Sequence, residues 1–155
     1  MARYQAAPKQ NHLLVVKRIL RYLQGTTQYG IWYPKGKIFT LIAYIDADWA
    51  SCVYDRKSTS GGAFYLGESL VAWLSKKQTS ISLSTAEAEY IAATACCTQV
   101  MWMKQNLQDM KVSIDEPISI KCDNTSAISI SKNPVLHSKT KHIPIKYHFL
   151  REQVA

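Results

Sequence analysis

An α/β fold built on a mixed sheet is what this 155-residue sequence predicts, and three observations predict it. Strand-like segments follow one another between residues 40 and 75. A long helical segment, residues 85–110, then separates them from a fourth strand-like segment at 118–122. Hydrophobic residues make up 47% of the chain, enough for a real core and too many for a disordered polymer. Strands joined by tight turns run antiparallel, whereas a strand reached through a long helical crossover runs parallel to its neighbour. The expected sheet therefore has the hairpin 61–75 antiparallel to strand 40–49. Strand 118–122 lies parallel to strand 40–49 on its other side.

Residues 12–24 read as an amphipathic helix, with Leu13, Val16, Leu20 and Leu23 on one stripe and Lys17, Arg18 and Arg21 away from it. Gly25 is a natural stop. Residues 25–39 carry Gly30, Pro34 and Gly36 and read as a strand fragment and a connector. In strand 40–49, Leu41, Ala43 and Ile45 alternate with Ile42, Tyr44 and Asp46. A polar loop, 51–60, leads to segments 61–66 and 69–75, a hairpin turned at Gly67-Glu68. The long helix opens on a capping box, Ser84 followed by Glu87, with Leu83 placed to staple onto Ala88. Its stretch 91–103 has no charged residue, so much of it should be buried. Pro117 opens strand 118–122. A short helix, 124–131, stops at Asn133-Pro134, and the basic segment 140–153 becomes helical after Pro144.

The formal net charge is +8, unevenly spread. Residues 1–39 hold seven Lys or Arg and no acid, while residues 40–155 hold 12 bases and 11 acids. Such a basic segment suits a polyanionic partner, nucleic acid first, because cations that neutralise phosphates release counterions. No apolar run approaches the roughly 20 residues that span a bilayer, and no apolar region follows the N-terminus as in a signal peptide. An intracellular, soluble protein is the default. Cys52, Cys96, Cys97 and Cys122 form no C-x-x-C pair and read as reduced core thiols. The four Trp residues also read as core, with only Trp49 placed to reach a substrate.

Three acids interrupt apolar elements. Asp46 ends the first strand, and Asp123 ends strand 118–122. Glu89 lies on the first turns of the long helix and shares a face with Ala92, Ala93, Cys96, Val100 and Met103. Two carboxylates at strand ends and one at a helix start can converge at one edge of a sheet. Crowded like charges repel and need cations. Hard oxygen ligands suit Mg²⁺ or Mn²⁺, and two such ions about 3.5–4 Å apart clamp a phosphodiester. Each acid also has an ordinary reading: Asp123 as the N-cap of the next helix, Glu89 as a complement to the helix dipole, Asp46 or Asp48 as a strand-end acid.

Certain blocks resemble the ribonuclease H domain of a copia-type retrotransposon Pol polyprotein. They are Tyr44-Ile45-Asp46-Ala47-Asp48-Trp49-Ala50 with Asp55-Arg56-Lys57-Ser58-Thr59-Ser60-Gly61-Gly62; Trp73-Leu74-Ser75-Lys76-Lys77-Gln78 with Leu83-Ser84-Thr85-Ala86-Glu87-Ala88-Glu89-Tyr90; Cys122-Asp123-Asn124; and His137-Ser138-Lys139-Thr140-Lys141-His142-Ile143 with Tyr147-His148-Phe149-Leu150. They come in the family's order and cover residues 40–153. Residues 11–33 resemble the tail of the reverse transcriptase that precedes this domain. The resemblance thus implies residues 1–39 as a reverse transcriptase tail or connection segment and 40–155 as a ribonuclease H-like domain.

It further implies hydrolysis of the RNA strand of RNA–DNA hybrids during reverse transcription. Two Mg²⁺ or Mn²⁺ ions would be held by four carboxylates, of which Asp46, Glu89 and Asp123 match the first three by motif; Glu87 and Asp48 are close neighbours. Arg56, Lys57, Lys76, Lys77, Lys139, Lys141 and His142 are the candidates for phosphate contacts. The expected partners are the hybrid and the reverse transcriptase portion of the same polyprotein, with no membrane and no small-molecule ligand, and the expected location is the cytoplasm, with a virus-like particle or the nucleus as alternatives. The family's fourth acid follows a further strand, on a final helix, and no such motif occurs in these 155 residues. The expected fold is therefore an incomplete ribonuclease H-like fold, lacking the fifth strand and last helix. The alternative function is a catalytically inactive nucleic-acid-binding or decayed retroelement fragment.

Overall fold

The computed structural model describes residues 5–36, 40–132 and 142–154. The chain divides into two compact units, Met1–Tyr33 and Pro34–Ala155.

In the first unit the described residues form one helix, α1 (Gln10–Gly25). The Lys9 N–H donates to His12 Nδ1 at 3.0 Å, which closes its start. The Thr26 hydroxyl donates to the Tyr22 carbonyl at 2.8 Å and closes its end, one residue beyond the expected glycine stop. The apolar stripe is present, yet Leu13, Leu20 and Leu23 are each more than half exposed. The strand fragment expected within 25–39 is not formed among the described residues there.

In the second unit four strands pair in the order β3-β2-β1-β4. Strand β1 (Leu41–Asp48) is antiparallel to β2 (Thr59–Leu66), and β2 is antiparallel to β3 (Ser69–Lys77). Gly67 makes the hairpin turn with φ 61°, a left-handed conformation that glycine adopts without a Cβ penalty. Strand β4 (Ser119–Lys121) is parallel to β1, reached through helix α2 (Thr85–Asp109). This is the topology that the order of strands and crossover predicts, with β4 shorter than expected.

The alternation in β1 decides which face is covered. Leu41, Ala43 and Ile45 are buried with Phe64 of β2, against Tyr90, Ala93, Cys96, Cys97 and Val100 of α2. The uncharged stretch of α2 is buried over its first half. Farther on, Met101 is 43% and Trp102 61% exposed, so the helix outruns the sheet it packs on. On the opposite face Tyr44 stands edge-on to Tyr65, ring centroids 5.6 Å apart, and Trp73 stays exposed. An antiparallel sheet tolerates one such uncovered face.

Helix α3 (Thr125–Lys132) and a C-terminal piece complete the helical layer. That piece is a 3₁₀ turn, Ile145–Tyr147, followed by α4 (Phe149–Gln153). Leu150 and Ile143 enter the core. The Thr94 hydroxyl donates to the Tyr147 carbonyl at 2.9 Å, and Arg151 Nε donates to the Ile130 carbonyl at 3.1 Å.

Two expectations about apolar side chains fail. Trp32, Trp49, Trp73 and Trp102 are 46–83% exposed rather than core, because each falls on a uncovered face, a loop or the overhanging half of α2. Leu83 is 66% exposed and makes no staple on Ala88. The helix start is held by polar contacts instead.

Candidate metal centre

The parallel pairing of β1 and β4 brings their carboxyl ends together. The last matched pair is Tyr44 with Lys121, and Asp46 and Asp123 each lie two residues beyond it. The alternation turns Asp46 away from the core, to the exposed side, but at the strand's end its carboxylate still lies close enough to Glu89 to act on its charge. Asp123 is exposed at the start of the β4–α3 connection. It is not the N-cap of α3: Asn124 Oδ1 accepts from the Ala127 N–H at 2.9 Å, which leaves Asp123 free of that task.

Glu89 completes the group from α2, and a buried polar network fixes where α2 begins. Gln78, at the end of β3, donates from Nε2 to Ser60 Oγ at 3.0 Å and to the Ala88 carbonyl at 2.9 Å. Its Oε1 accepts from Ser82 Oγ at 2.9 Å. Gln78, Ser60 and Ser82 are all buried, so each bond is made away from competing water. Ser84 caps α2 by accepting from the Glu87 N–H at 3.3 Å. The Glu87 side chain reaches past the cap residue to the Leu83 N–H at 2.8 Å, and its other oxygen lies 2.9 Å from His142 Nε2. Both Glu87 oxygens are thereby engaged in holding the helix start.

Glu89 is only 5% exposed. Its Oε1 accepts from the Ala47 N–H at 2.9 Å, while Oε2 is buried without a hydrogen-bond partner. Burial pushes the Glu89 carboxyl above its ordinary range. The Ala47 N–H opposes that shift, and the charges of Asp46 and Asp123 add to it. A buried carboxylate oxygen with no donor, facing two further acids, is a costly arrangement unless a cation completes it. One ligand atom each from Glu89, Asp123 and Cys122 lie within 4.8 Å of one another. The gathered donors, Glu89 and Asp123 with Cys122, therefore fit a divalent cation. Asp46 acts on the charge of Glu89, but its carboxylate is not among the ligand atoms that come within 4.8 Å of one another.

Cys122 is the member that sequence reasoning missed. Its thiol is half-buried and weakly donates to the Asn124 carbonyl at 3.8 Å. Burial, and then the neighbouring Glu89 and Asp123, push it up, with the Asn124 backbone pulling the other way. Its place immediately before Asp123 was the available signal. Of the other thiols, Cys96 and Cys97 are buried, with Cys96 pushed up to about 12 by burial. Cys52 is only half-buried and accepts from Lys77 Nζ at 3.0 Å, so the core reading fails for it.

The candidate phosphate-binding residues divide. Lys76 and Lys77 end β3 at the same end of the sheet as Asp46, since Asp46 pairs with Gly61, and Ser60 beside it with Lys76. Lys76 and Arg56 are exposed, and Lys57 is half-buried. Lys77 is committed instead to Asp55, with Nζ to Oδ2 at 2.7 Å. That bond holds the Asp55 carboxyl at about 2. His142 is paired with Glu87. Lys139 and Lys141 lie outside the described residues. Trp49, half exposed, is pinned by its Nε1 donating to the Ser82 carbonyl at 3.0 Å. A hollow of about 420 Å³ lies between the starts of α2 and α3, lined by Ser84, Glu87, Thr125, Ser126, Ser129 and Ile130.

Fold and site together define an α+β domain whose acidic group gathers at the carboxyl ends of a parallel strand pair. Comparison with known proteins then places the chain. It is 42% identical over 154 residues to the retrovirus-related Pol polyprotein from transposon RE1 of Arabidopsis thaliana, covering 99% of this chain and 10% of the polyprotein. It is 41% identical over 154 residues to the corresponding polyprotein from transposon TNT 1-94 of Nicotiana tabacum, covering 99% of this chain and 11% of that one. It is 39% identical over 103 residues to secreted RxLR effector protein 161 of Plasmopara viticola, 66% of this chain and 72% of that protein. No family model matches the chain, and no solved structure does. The Pol polyprotein homologues along almost its whole length make this a retroelement-derived chain, and it spans about a tenth of the length of the Pol polyproteins it matches. No helix among the described residues is long and apolar enough to cross a membrane.

Proposed function

We propose that the chain is the ribonuclease H portion of a copia-type Pol polyprotein and hydrolyses the RNA strand of RNA–DNA hybrids. One observation carries this reading: Glu89, 95% buried with Oε2 unpartnered, faces Asp46 and Asp123 at the ends of the parallel strands. Asp46, Glu89 and Asp123 hold the ions, Mg²⁺ or Mn²⁺, and the Ala47 N–H fixes Glu89 in place. When bound, two such ions supply activation of water and stabilisation of the leaving oxygen. Lys76, Arg56 and Lys57 meet the phosphates that flank the scissile bond. The hydroxyls of Ser84, Thr125 and Ser126, which line the hollow between the starts of α2 and α3, offer hydrogen bonds to the sugar–phosphate backbone. Trp49 presents a fixed apolar face to the nucleotides. The partners are the hybrid and the reverse transcriptase portion of the same polyprotein.

A second reading has its own observation. Residues 1–39 hold seven Lys or Arg and no acid. A domain that binds hybrids through its cations without cutting them fits that excess. An assay on a uniformly labelled hybrid decides between them. Cleavage of the RNA strand, larger with Mn²⁺ than with Mg²⁺ because Mg²⁺ demands stricter geometry, and lost in Asp123→Asn, supports the ribonuclease. Binding without cleavage in either metal supports the second reading.

A further inference from the structure

Cys122 gives the acidic group a property that oxygen ligands alone lack. Its Sγ, one Glu89 oxygen and one Asp123 oxygen lie within 4.8 Å of one another. Thiolate is a soft ligand. It favours Zn²⁺ and its heavier relatives over Mg²⁺, and affinity for nitrogen, oxygen and sulfur sites rises toward Zn²⁺ relative to Mn²⁺. Zn–S bonds of about 2.3 Å and Zn–O bonds of about 2.0–2.2 Å place tetrahedral ligands roughly 3.5 Å apart, so modest rotation of Cys122 and Asp123 closes the set.

The second observation is independent of the cysteine. Glu89 is 95% buried, its Oε2 has no partner, and Ala47 holds the other oxygen so that the carboxylate cannot turn away. Asp123 is exposed, so water can supply a fourth ligand beside the three protein ligands, which together make a complete zinc environment. Cys122 is also held in position: it packs against the core while its neighbour Asn124 begins α3.

We propose that Glu89, Cys122 and Asp123 form a mixed thiolate–carboxylate site for a thiophilic divalent ion, Zn²⁺ or Cd²⁺, which competes there with Mg²⁺ or Mn²⁺. The site rests on the acidic group being a cation site, as in the proposed function, and adds a ligand and a metal class to it. Binding replaces the Cys122 thiol proton with the metal and releases that proton to solvent. A soft ion so held occupies the place of the hard ions and silences the hydrolysis they support.

The test uses Cd²⁺ alone as probe, read by the ultraviolet charge-transfer absorption of a cadmium–thiolate bond. Mn²⁺ binding is followed in parallel by calorimetry. The expected result is a thiolate band that saturates at one equivalent and persists in Cys52→Ser. In Cys122→Ser the band is lost and Cd²⁺ affinity falls by at least about tenfold, the lower end of what even a supporting ligand contributes. Mn²⁺ binding is retained in Cys122→Ser, which also shows that the variant is folded. A band that survives Cys122→Ser, or Mn²⁺ binding with no band in the unaltered chain, overturns the thiolate site and leaves the hard-metal reading standing. Failure of both metals to bind overturns both.

Discussion

Glu89 carries an electrostatic cost with a definite sign. Its carboxyl is raised in the folded chain, first by burial and then by Asp46 and Asp123, so the folded state binds that proton more tightly than the unfolded state does. Its contribution to stability is therefore most favourable below the ordinary carboxylate value of 4.5 and is lost as pH rises through the raised folded value. In chelated protein at neutral pH the ionised side chain destabilises. Glu89→Gln keeps an oxygen for the Ala47 N–H and removes the charge. It should raise the melting temperature of the metal-free protein, by about 2–4 °C for each kcal/mol recovered in a chain of this size. The same change should abolish any rise in melting temperature on adding Mn²⁺. Calorimetry across pH 5–8 in chelator and in Mn²⁺ reads both effects, and a lower melting temperature for Glu89→Gln in chelator would contradict them. Asp55 behaves in the opposite way. Its bond to Lys77 holds it at about 2, so what it contributes is present above 3.8 and lost as pH falls through about 2. The pairing was invisible in the sequence because it depends on the loop folding back onto the end of β3. By contrast, all three acids of the candidate centre could be picked out, because a carboxylate inside an apolar strand end or helix start needs a reason. Cys122 is passed over although it directly precedes Asp123, since a single thiol in a strand has an ordinary place as a small core residue.

The elements that position the centre are held by a few buried hydrogen bonds. Gln78 serves β2, α2 and the turn between β3 and α2 at once. Gln78→Ala leaves Ser60, Ser82 and the Ala88 carbonyl short of partners in a dry interior, which should cost about 2 kcal/mol or more. The first turn of α2 should loosen with it, so Mn²⁺ affinity is expected to fall although Gln78 is no ligand. Denaturant melts and Mn²⁺ titration of the variant measure the two effects; an unchanged metal affinity would separate the network from the site. Tyr90 makes a second tie, its hydroxyl 3.1 Å from His148 Nδ1. Tyr90→Phe should cost about 1 kcal/mol and speed hydrogen exchange in residues 142–154 more than in β1. Equal protection in both would show that the C-terminal piece is held by packing alone. Much of this layer was legible in the sequence. Alternation marked β1, glycine marked the hairpin turn, and Ser84 marked the start of α2. What was not legible depends on which faces acquire cover. A tryptophan on a strand looks the same in sequence whether its face is packed or open, so Trp73 was misread as core. The amphipathic stripe of α1 was legible, and its exposure was not.

At the scale of the whole molecule, charge and acidic centre make separate demands. The excess of cations supports association with nucleic acid that weakens steeply with salt, log K falling in proportion to the phosphates neutralised. Lys76 is exposed at the same end of the sheet as the acids, so Lys76→Ala should lower the salt slope by about one unit. Lys77→Ala should lower it less, because that ammonium is already bound to Asp55. Binding of a labelled hybrid at several salt concentrations compares the two; equal slopes would remove Lys76 from the interface. The topology was legible because a helical crossover demands a parallel strand, and that same rule sets Asp46 beside Asp123. The centre's existence as a cation site is what everything else depends on. Calorimetric titration of Mn²⁺ into the chelator-treated chain, beside Asp46→Asn, Glu89→Gln and Asp123→Asn, tests it most directly. The account predicts saturable binding that each of the three substitutions weakens at least about tenfold, as the loss of a ligand should. Binding that is absent in the unaltered chain, or unchanged in all three variants, would contradict it.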